Sequence, residues 1–452
     1  MRLIERLHAL EREGRPIRVA VIGAGQMGGG VARGIAHLPG MRLAGICDLL
    51  VDRAAAAAVT AQVTAEEAGS PNAVRRIVAE GRVAITPRAA TLIEAPEVIA
   101  VVDATGDPEA GARLALGAIS HGKAFITMNV ETDVTVGPLL AHQARSAGTV
   151  YTVAAGDEPS VLCEIVDFAR AAGLEVVCAG KGKNNRLDRT ATAASVAPEA
   201  AARGMSARML ASFVDGTKTM VEMAAVANAT GLQPDRAGLH GPRADLSDLL
   251  RTFIPEDDGG ILRTRGVVDY AIGNVAPGVF LVVTTSNETI RRDLAYLKAG
   301  DGPYYLFHRP YHLASLEVPL SVARAVVYGE VTMAALGAPL AECLAVAKRD
   351  LHVGEVLDGI GGETIYGLAD SSARAGAAHA VPMGAASGAR VKRDIPRGTI
   401  LTEQDVTLDE ASTIVHLRRQ QDVMVRNGTL PSAGRIAAMA VGAAGYTGET
   451  AC

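Results

Sequence analysis

Residues 18–28 read Arg-Val-Ala-Val-Ile-Gly-Ala-Gly-Gln-Met-Gly, a short β-branched run that ends in G-x-G-x-x-G. Such a run is the mark of a buried parallel strand, and small residues follow at helical spacing through Ile35. Strand, glycine turn and helix in that order commit the chain to an open α/β sheet. Gly23 permits the tight turn, Gly25 lets the backbone approach a pyrophosphate, and Gly28 lets helix and strand pack closely. The helix start, with Gln26 and Met27 in its first turn, offers free N–H groups and the positive end of the helix dipole. These residues form the predicted seat of a dinucleotide, NAD or NADP.

A second strand, Met41 to Cys47, ends at Asp48, about twenty residues beyond the last motif glycine, where an acid accepts the ribose hydroxyls. A carboxylate there repels a 2′-phosphate and favours NAD, although Arg53 could fold back onto such a phosphate. Two later strands, Val98 to Asp103 and Ala124 to Met128, end in Ala-Thr-Gly-Asp-Pro and in Asn129-Val130-Glu131. Ligands of open sheets sit beyond the carboxyl ends of the strands. Thr105, Gly106 and Asn129 are therefore predicted to line the nicotinamide, Asn129 in preference to Glu131 because an amide holds a carboxamide without charge.

The 452 residues include 44 Lys+Arg against 49 Asp+Glu, a formal charge of −5, which gives no electrostatic case for a nucleic-acid partner. No stretch approaches the roughly 20 apolar residues of a membrane span, and the first fifteen residues lack the apolar centre of a secretion signal. The five cysteines are scattered without a C-x-x-C pair, as free thiols in a reducing compartment are. A soluble, cytoplasmic protein with no nucleic-acid or membrane partner is expected, and its length suggests about three domains.

Beyond Thr149 the pattern changes. A strand to Ala154 runs into Gly156-Asp157-Glu158-Pro159, where two acids open a helix and are stabilised by its dipole; a catalytic or metal role there stays open. A strand from Leu174 to Ala179 is expected to end in a basic loop, Gly-Lys-Gly-Lys-Asn-Asn-Arg at 180–186, suited to an anion. Phe213 to Leu232 reads as one apolar helix in which Lys218 and Glu222 stand at i,i+4. Charge on an apolar helix is costly without a use, so this pair is the predicted proton-transfer couple, with Lys183 a further catalytic candidate. Lys181, Asn184, Asn185, His240, Arg243, His308, Arg309 and His312 are predicted to clasp a small anionic substrate. His240-Gly241-Pro242-Arg243 reads as a loop, and Tyr304 to His312 gathers aromatics and cations in an aromatic-poor chain. Val318 to Ala347 reads as apolar helix packing back on the first domain, followed from about Ala380 by short β-like pieces.

The Asp-Ala-Thr-Gly at 103–106 and the Gly-Asp-x-Pro at 156–159 resemble the homoserine dehydrogenase superfamily. Gly-Lys-Gly-Lys-Asn-Asn at 180–185, Asp215 to Glu222, His240 to Arg243 and His308 to His312 resemble, more narrowly, the bacterial deoxyxylulose phosphate reductoisomerase-like family with a C-terminal SAF domain; Arg393 to Val406 resembles the SAF consensus. The resemblance implies a homo-oligomeric NAD(P)-dependent oxidoreductase. It also implies conversion of deoxyxylulose phosphate to methylerythritol phosphate, with a divalent metal or clustered cations to stabilise the enediolate-like charge. Against homoserine dehydrogenases, the catalytic Asp and Lys positions fall on Lys218 and Glu222 with the charges exchanged. The family reaction uses NADPH, whereas Asp48 points to NAD.

The expected fold class is α/β: a Rossmann dinucleotide-binding domain over 1–155, an α+β substrate domain over 156–330, a returning helical and connecting segment over 331–378, a small β-rich SAF domain over 379–440 and a tail over 441–452. Two other functions compete. One is an NAD-dependent dehydrogenase of another hydroxy acid or sugar acid, without rearrangement. The other is a non-catalytic nucleotide sensor with the SAF module as its output.

Overall fold

The computed structural model describes residues 2–431. Seven strands, β1 (Ile17–Ile22), β2 (Met41–Cys47), β3 (Ala65–Glu67), β4 (Val83–Thr86), β5 (Ala100–Asp103), β6 (Ala124–Thr127) and β7 (Tyr151–Val153), pair in parallel in the order β3-β4-β2-β1-β5-β6-β7. Helices cover both faces of such a sheet, which is why Val19, Ala20 and Val21 are all fully buried. The order reverses at β1, the topological switch point where ligands of doubly wound sheets bind. Helix α1 (Gln26–His37) leaves the glycine turn and α2 (Val130–Ser146) leaves β6. Ile22 lies beside Asp103, Asp103 beside Thr127 and Thr127 beside Val153. The segments that follow these strands therefore emerge along one edge.

The next domain opens with α3 (Glu158–Ala171) and β8 (Glu175–Lys183), then α4 (Ala207–Val214) and α5 (Thr217–Thr230). Strands β9 (Gln233–Pro234), β10 (Val267–Ile272), β11 (Val279–Thr284) and β12 (Tyr304–Arg309) complete a mixed sheet ordered β12-β11-β8-β10-β9. Two sequence expectations change here. The basic loop expected from Gly180 is, through Lys183, the end of β8. Its glycines answer to crowding: a Cβ on Gly180 would lie 2.4 Å from the Phe280 ring, and one on Gly182 would lie 2.2 Å from the Ala276 nitrogen. The single helix expected over 213–232 is broken at Asp215-Gly216, where Gly216 takes the left-handed φ of +85°.

Helix α6 (Ala314–Tyr328) returns to the first domain and packs on α1, so closely that a Cβ on Gly30 would meet the Ser315 hydroxyl at 2.7 Å. The helix expected to continue to Ala347 stops there. Ala341–Ala347 is β13, paired antiparallel with β14 (Ile365–Ser371). Both faces of β13 are buried, so its residues show no alternation and read like the apolar helix before them. Leu344, Val346 and Leu351 bridge to Pro382, Ile400 and Ile395, and β15 (Arg390–Val391) pairs with β16 (Val406–Thr407). The β-rich module thus starts near Ala341 rather than at residue 379, and of the helical and connecting segment expected over 331–378 only Ser372–Ala377 is helical. The expected stretch 432–440 and the tail 441–452 lie outside the described residues.

Helix α7 (Thr413–Arg426) ties this module to α2. Arg418 reaches both oxygens of the buried Glu342 of β13 at 2.8 Å each, and also bonds Asp422 at 2.9 Å. Removing one partner of a buried ion pair strands the other, at a cost of about 3–5 kcal/mol. Arg418→Met is expected to lower stability by that order; an unchanged denaturant midpoint would show the pair to be dispensable. Among the described residues no helix is long and apolar enough to cross a membrane, and Cys47, Cys163, Cys178 and Cys343 are buried free thiols.

Candidate active site

The glycine turn has three distinct geometries. Gly23 sits at φ +93° with Ala104 so near that a Cβ would lie 2.6 Å from its carbonyl oxygen. A Cβ on Gly28 would lie 1.8 Å from the Gly23 oxygen, whereas around Gly25 there is nothing within 4 Å. The open side of the turn is thus at Gly25, the N-cap of α1, with no side chain capping the helix. Gln26 and Met27 are exposed in the first turn. Asp48 reaches the turn from β2: its two oxygens accept the Ala24 N–H at 2.9 Å and the Leu50 N–H at 3.0 Å. Each oxygen keeps a lone pair for a hydroxyl. These residues fit a dinucleotide.

Two of the predicted nicotinamide residues have other work. Thr105 gives both its N–H and its hydroxyl to the buried Asp103, at 3.0 and 2.6 Å. Asn129 is fully buried; its carbonyl caps α2 through the Thr132 N–H at 3.2 Å and its amide donates to the Asp107 carbonyl at 2.7 Å. An Asn just ahead of a helix is a capping signal, and capping is what it does. Gly106 stays at the cleft, at φ +68°, with the tip of Met209 of α4 as its neighbour.

Beyond the ends of β6 and β7, charged side chains from four elements converge. Alternation along β8 turns Lys181 and Lys183 to one face. The Lys181 ammonium bonds Glu158, at the start of α3, at 2.7 Å and also Glu222 of α5. Lys218, four residues before Glu222, bonds Glu131 of α2 at 3.2 Å and stands 3.9 Å from Glu222. His312 stands 3.4 Å from Glu158 and 3.2 Å from the Gly156 carbonyl. The predicted pair Lys218/Glu222 therefore exists, but each has a nearer partner. The sequence favours Asn129 over Glu131 and leaves Glu158 undecided, although each acid stands four or five residues past the end of a strand, at the start of a helix.

Burial and neighbours set the protonation of this group. Burial pushes Glu222 up to about 8, against the pull of Lys181. Burial likewise raises Asp157 to about 6, against Lys218 and with the help of Glu158. Glu158 is also buried, but Lys181 and His312 overcome that and hold its carboxyl at about 2. Burial opposes the charges of Lys181 and Lys218, yet their carboxylate neighbours hold both above the usual lysine range. Lys183 goes the other way, brought to about 8 by burial and then by the Lys181 charge.

A stability prediction follows from Glu158. Its folded-state value lies below the ordinary 4.5, so its contribution is complete above that pH and is lost as pH falls towards about 2. Asp157 has the opposite sign: its ionisation between about 4 and 6 weakens the fold. Glu158→Gln is expected to lower Tm at pH 7, with the gap to the parent protein closing below pH 4.5. A gap that stays constant with pH would contradict the assignment.

Asp157, Glu158 and His312 each offer a metal-ligand atom, all within 4.8 Å of one another. The set does not fit a divalent cation as it stands, because the Lys181 ammonium already meets the Glu158 carboxylate at 2.7 Å.

Of the remaining predicted residues, only Lys183 lies close enough to feel Lys181 and Glu222. Lys183 is buried and donates to the Phe213 carbonyl at the end of α4. Asn184 and Asn185 bond each other at 2.8 Å at the exposed end of β8. His240 is held by Asp269 at 2.7 Å and Asp235 at 3.3 Å at the β9 edge of the sheet, and Arg243 is exposed. His308 and Arg309, adjacent in β12, point to opposite faces. Arg309 is bound by Glu164 at 3.1 Å and Glu317 at 2.8 Å. The expected clasp of eight residues is thereby reduced to Lys181 and His312, both already bonded to Glu158.

Residues 156–318 match the family model described as "Oxidoreductase DRL, catalytic domain", and residues 344–407 match the SAF domain. No curated protein matches the sequence. Solved structures similar to this chain include a probable dehydrogenase from Thermotoga maritima, 13% identical over 70% of this chain and 90% of that one, TM-score 0.42. Others are a myo-inositol dehydrogenase from Corynebacterium glutamicum ATCC 13032 (11%, 70% and 89%, TM-score 0.39) and myo-inositol 2-dehydrogenase from Lactobacillus plantarum (14%, 70% and 91%, TM-score 0.37). The charged cluster thus lies within and beside the matched catalytic segment, and the chain is an enzyme that joins an oxidoreductase catalytic domain at 156–318 to an SAF domain at 344–407.

Proposed function

We propose that the chain is an NAD(P)-dependent oxidoreductase that interconverts a small polar carbonyl compound and its alcohol. The observation that carries this is the buried Lys218–Glu222–Lys181 cluster at the strand ends of a sheet whose glycine turn is open at Gly25. The dinucleotide, seated by Gly23, Gly25, Gly28 and Asp48, supplies or takes the hydride. Reduction adds that hydride to the carbonyl carbon and needs one proton on the oxygen. Lys218 is the donor, held charged by Glu131 and Asp157. Glu222, still protonated near neutrality, returns a proton to it. Beyond Glu222 the contacts run on through Lys181 and Glu158 to His312, whose side chain is 21% exposed and so opens the cluster to solvent. Oxidation uses the same groups in reverse.

The finer reading is reductoisomerisation of deoxyxylulose phosphate, which the sequence resemblance favours. Asp48 beside the turn favours instead an NAD-dependent dehydrogenase of another hydroxy compound, and so does the dispersal of the expected phosphate clasp. Purified protein assayed with NADH and with NADPH against deoxyxylulose phosphate separates them. Consumption of NADPH with formation of methylerythritol phosphate establishes the first. Binding of NADH with no turnover of that substrate leaves the second, to be resolved by a panel of hydroxy acids and polyols. Failure to bind either nucleotide refutes both.

A further inference from the structure

The SAF domain enters the catalytic domain through one buried cation. Lys348, just past β13, is 3% exposed. Its ammonium donates to the Ala191 and Gly362 carbonyls at 2.7 Å each and pairs with Asp215 at 2.9 Å. Gly362 belongs to the SAF segment, whereas Ala191 and Asp215 belong to the catalytic one. Asp215 is fully buried, in the break between α4 and α5, and its other oxygen accepts the Thr217 N–H, the first of α5, at 2.8 Å. A helix start leaves its N–H groups unpaired, and the Gly216 N-cap has no side chain to serve them.

A second tie lies alongside. The Gly367 N–H of β14 donates to the Thr217 hydroxyl at 2.8 Å. Arg189 donates to the Asp215 carbonyl at 2.7 Å and lies 4.9 Å above the Tyr366 ring. The first turn of α5 is thus fixed from the SAF side, and the next residue after Thr217 is Lys218. Misplacing a reacting group by about 1 Å can cost 10²-fold in rate.

We infer that Lys348 is a positioning residue: by holding Asp215 it fixes the first turn of α5 and so the place of Lys218. The SAF domain then completes the active site without touching the substrate. This rests on the reading of Lys218 as proton donor. Its consequence for charge is separable from turnover. Glu222 faces Lys181 and Lys183 from β8, Asp157 and Glu158 from the start of α3, and Lys218 on its own helix. If the first turn loosens, Lys218 withdraws, and Glu222 binds its proton more tightly.

The test uses the full chain with 13C-labelled carboxyl carbons, Glu222 being assigned with Glu222→Gln. In Lys348→Met the Glu222 titration midpoint should move to higher pH, and kcat for the turned-over substrate should fall by about 10-fold to 10²-fold with nucleotide KM unchanged. Thr217→Ala, which removes one hydroxyl, should move the midpoint the same way by less. A purely structural ion pair would lower Tm and leave the midpoint in place, and that result overturns the inference. If Lys348→Met does not fold, an unmoved midpoint in Thr217→Ala overturns it. A shifted midpoint together with a Glu222→Gln enzyme that turns over normally would sink the proton-transfer reading while leaving Lys348 as the residue that places Lys218.

Discussion

Glu222→Gln is expected to cut turnover by about 10²-fold to 10⁴-fold while leaving Tm at pH 7 nearly unchanged. The two halves of this expectation come from one fact. The Glu222 side chain is buried, and burial keeps its proton on to about 8. Near neutrality the carboxyl is therefore uncharged, and Gln matches it in size, in charge and in having a donor beside an acceptor. The surrounding cations lose no counter-charge, so the fold is unaffected. What Gln lacks is a transferable proton. Lys218→Met also removes activity, but it takes the counter-charge from both Glu131 and Asp157 and so lowers Tm as well; the Gln variant is the cleaner probe. Steady-state kcat measured beside a thermal melt decides it. A Gln enzyme with undiminished kcat would mean that the proton travels by another route.

The second large effect separates two glycines three residues apart. Gly28→Ala places a methyl 1.8 Å from the Gly23 oxygen and 2.9 Å from its carbon. Both are backbone atoms of the turn, so no rotamer relieves the contact. The loss should exceed about 4 kcal/mol, enough to unfold the first domain. Gly25→Ala meets nothing within 4 Å, and the φ of −69° suits alanine. That variant should melt like the parent but bind NADH at least about tenfold more weakly, because the methyl stands where a pyrophosphate must approach the backbone. Calorimetric titration with NADH beside a thermal melt reads both. If Gly25→Ala binds NADH as the parent does, the dinucleotide does not sit on this turn.

How far the sequence could be read depended on how local each cause is. The glycine turn and Asp48 were legible because strand, turn, helix and acid lie within about thirty residues. Lys218 and Glu222 were legible because charge on an otherwise apolar helix needs a reason. Their nearest partners, Glu131 and Lys181, come from other elements, and no local pattern joins them. Gly180 and Gly182 looked like loop residues, but they are small because Phe280 and Ala276 crowd β8, which only the tertiary fold reveals. Likewise Ala341–Ala347 is buried on both faces, so its composition does not distinguish strand from helix. Arg309 and His240 look like free ligands in sequence, yet Glu164, Glu317, Asp269 and Asp235 hold them in structural pairs.

A crystal structure of the protein with NADH bound tests the central claim most directly. The account places the pyrophosphate against the backbone at Gly25, the adenosine ribose at Asp48, and the reactive face of the nicotinamide towards Lys218 and Glu222, leaving room for a carbonyl group within about 3–3.5 Å of both the hydride and the ammonium. A nicotinamide directed away from Lys218, or a dinucleotide bound elsewhere on the chain, would contradict it.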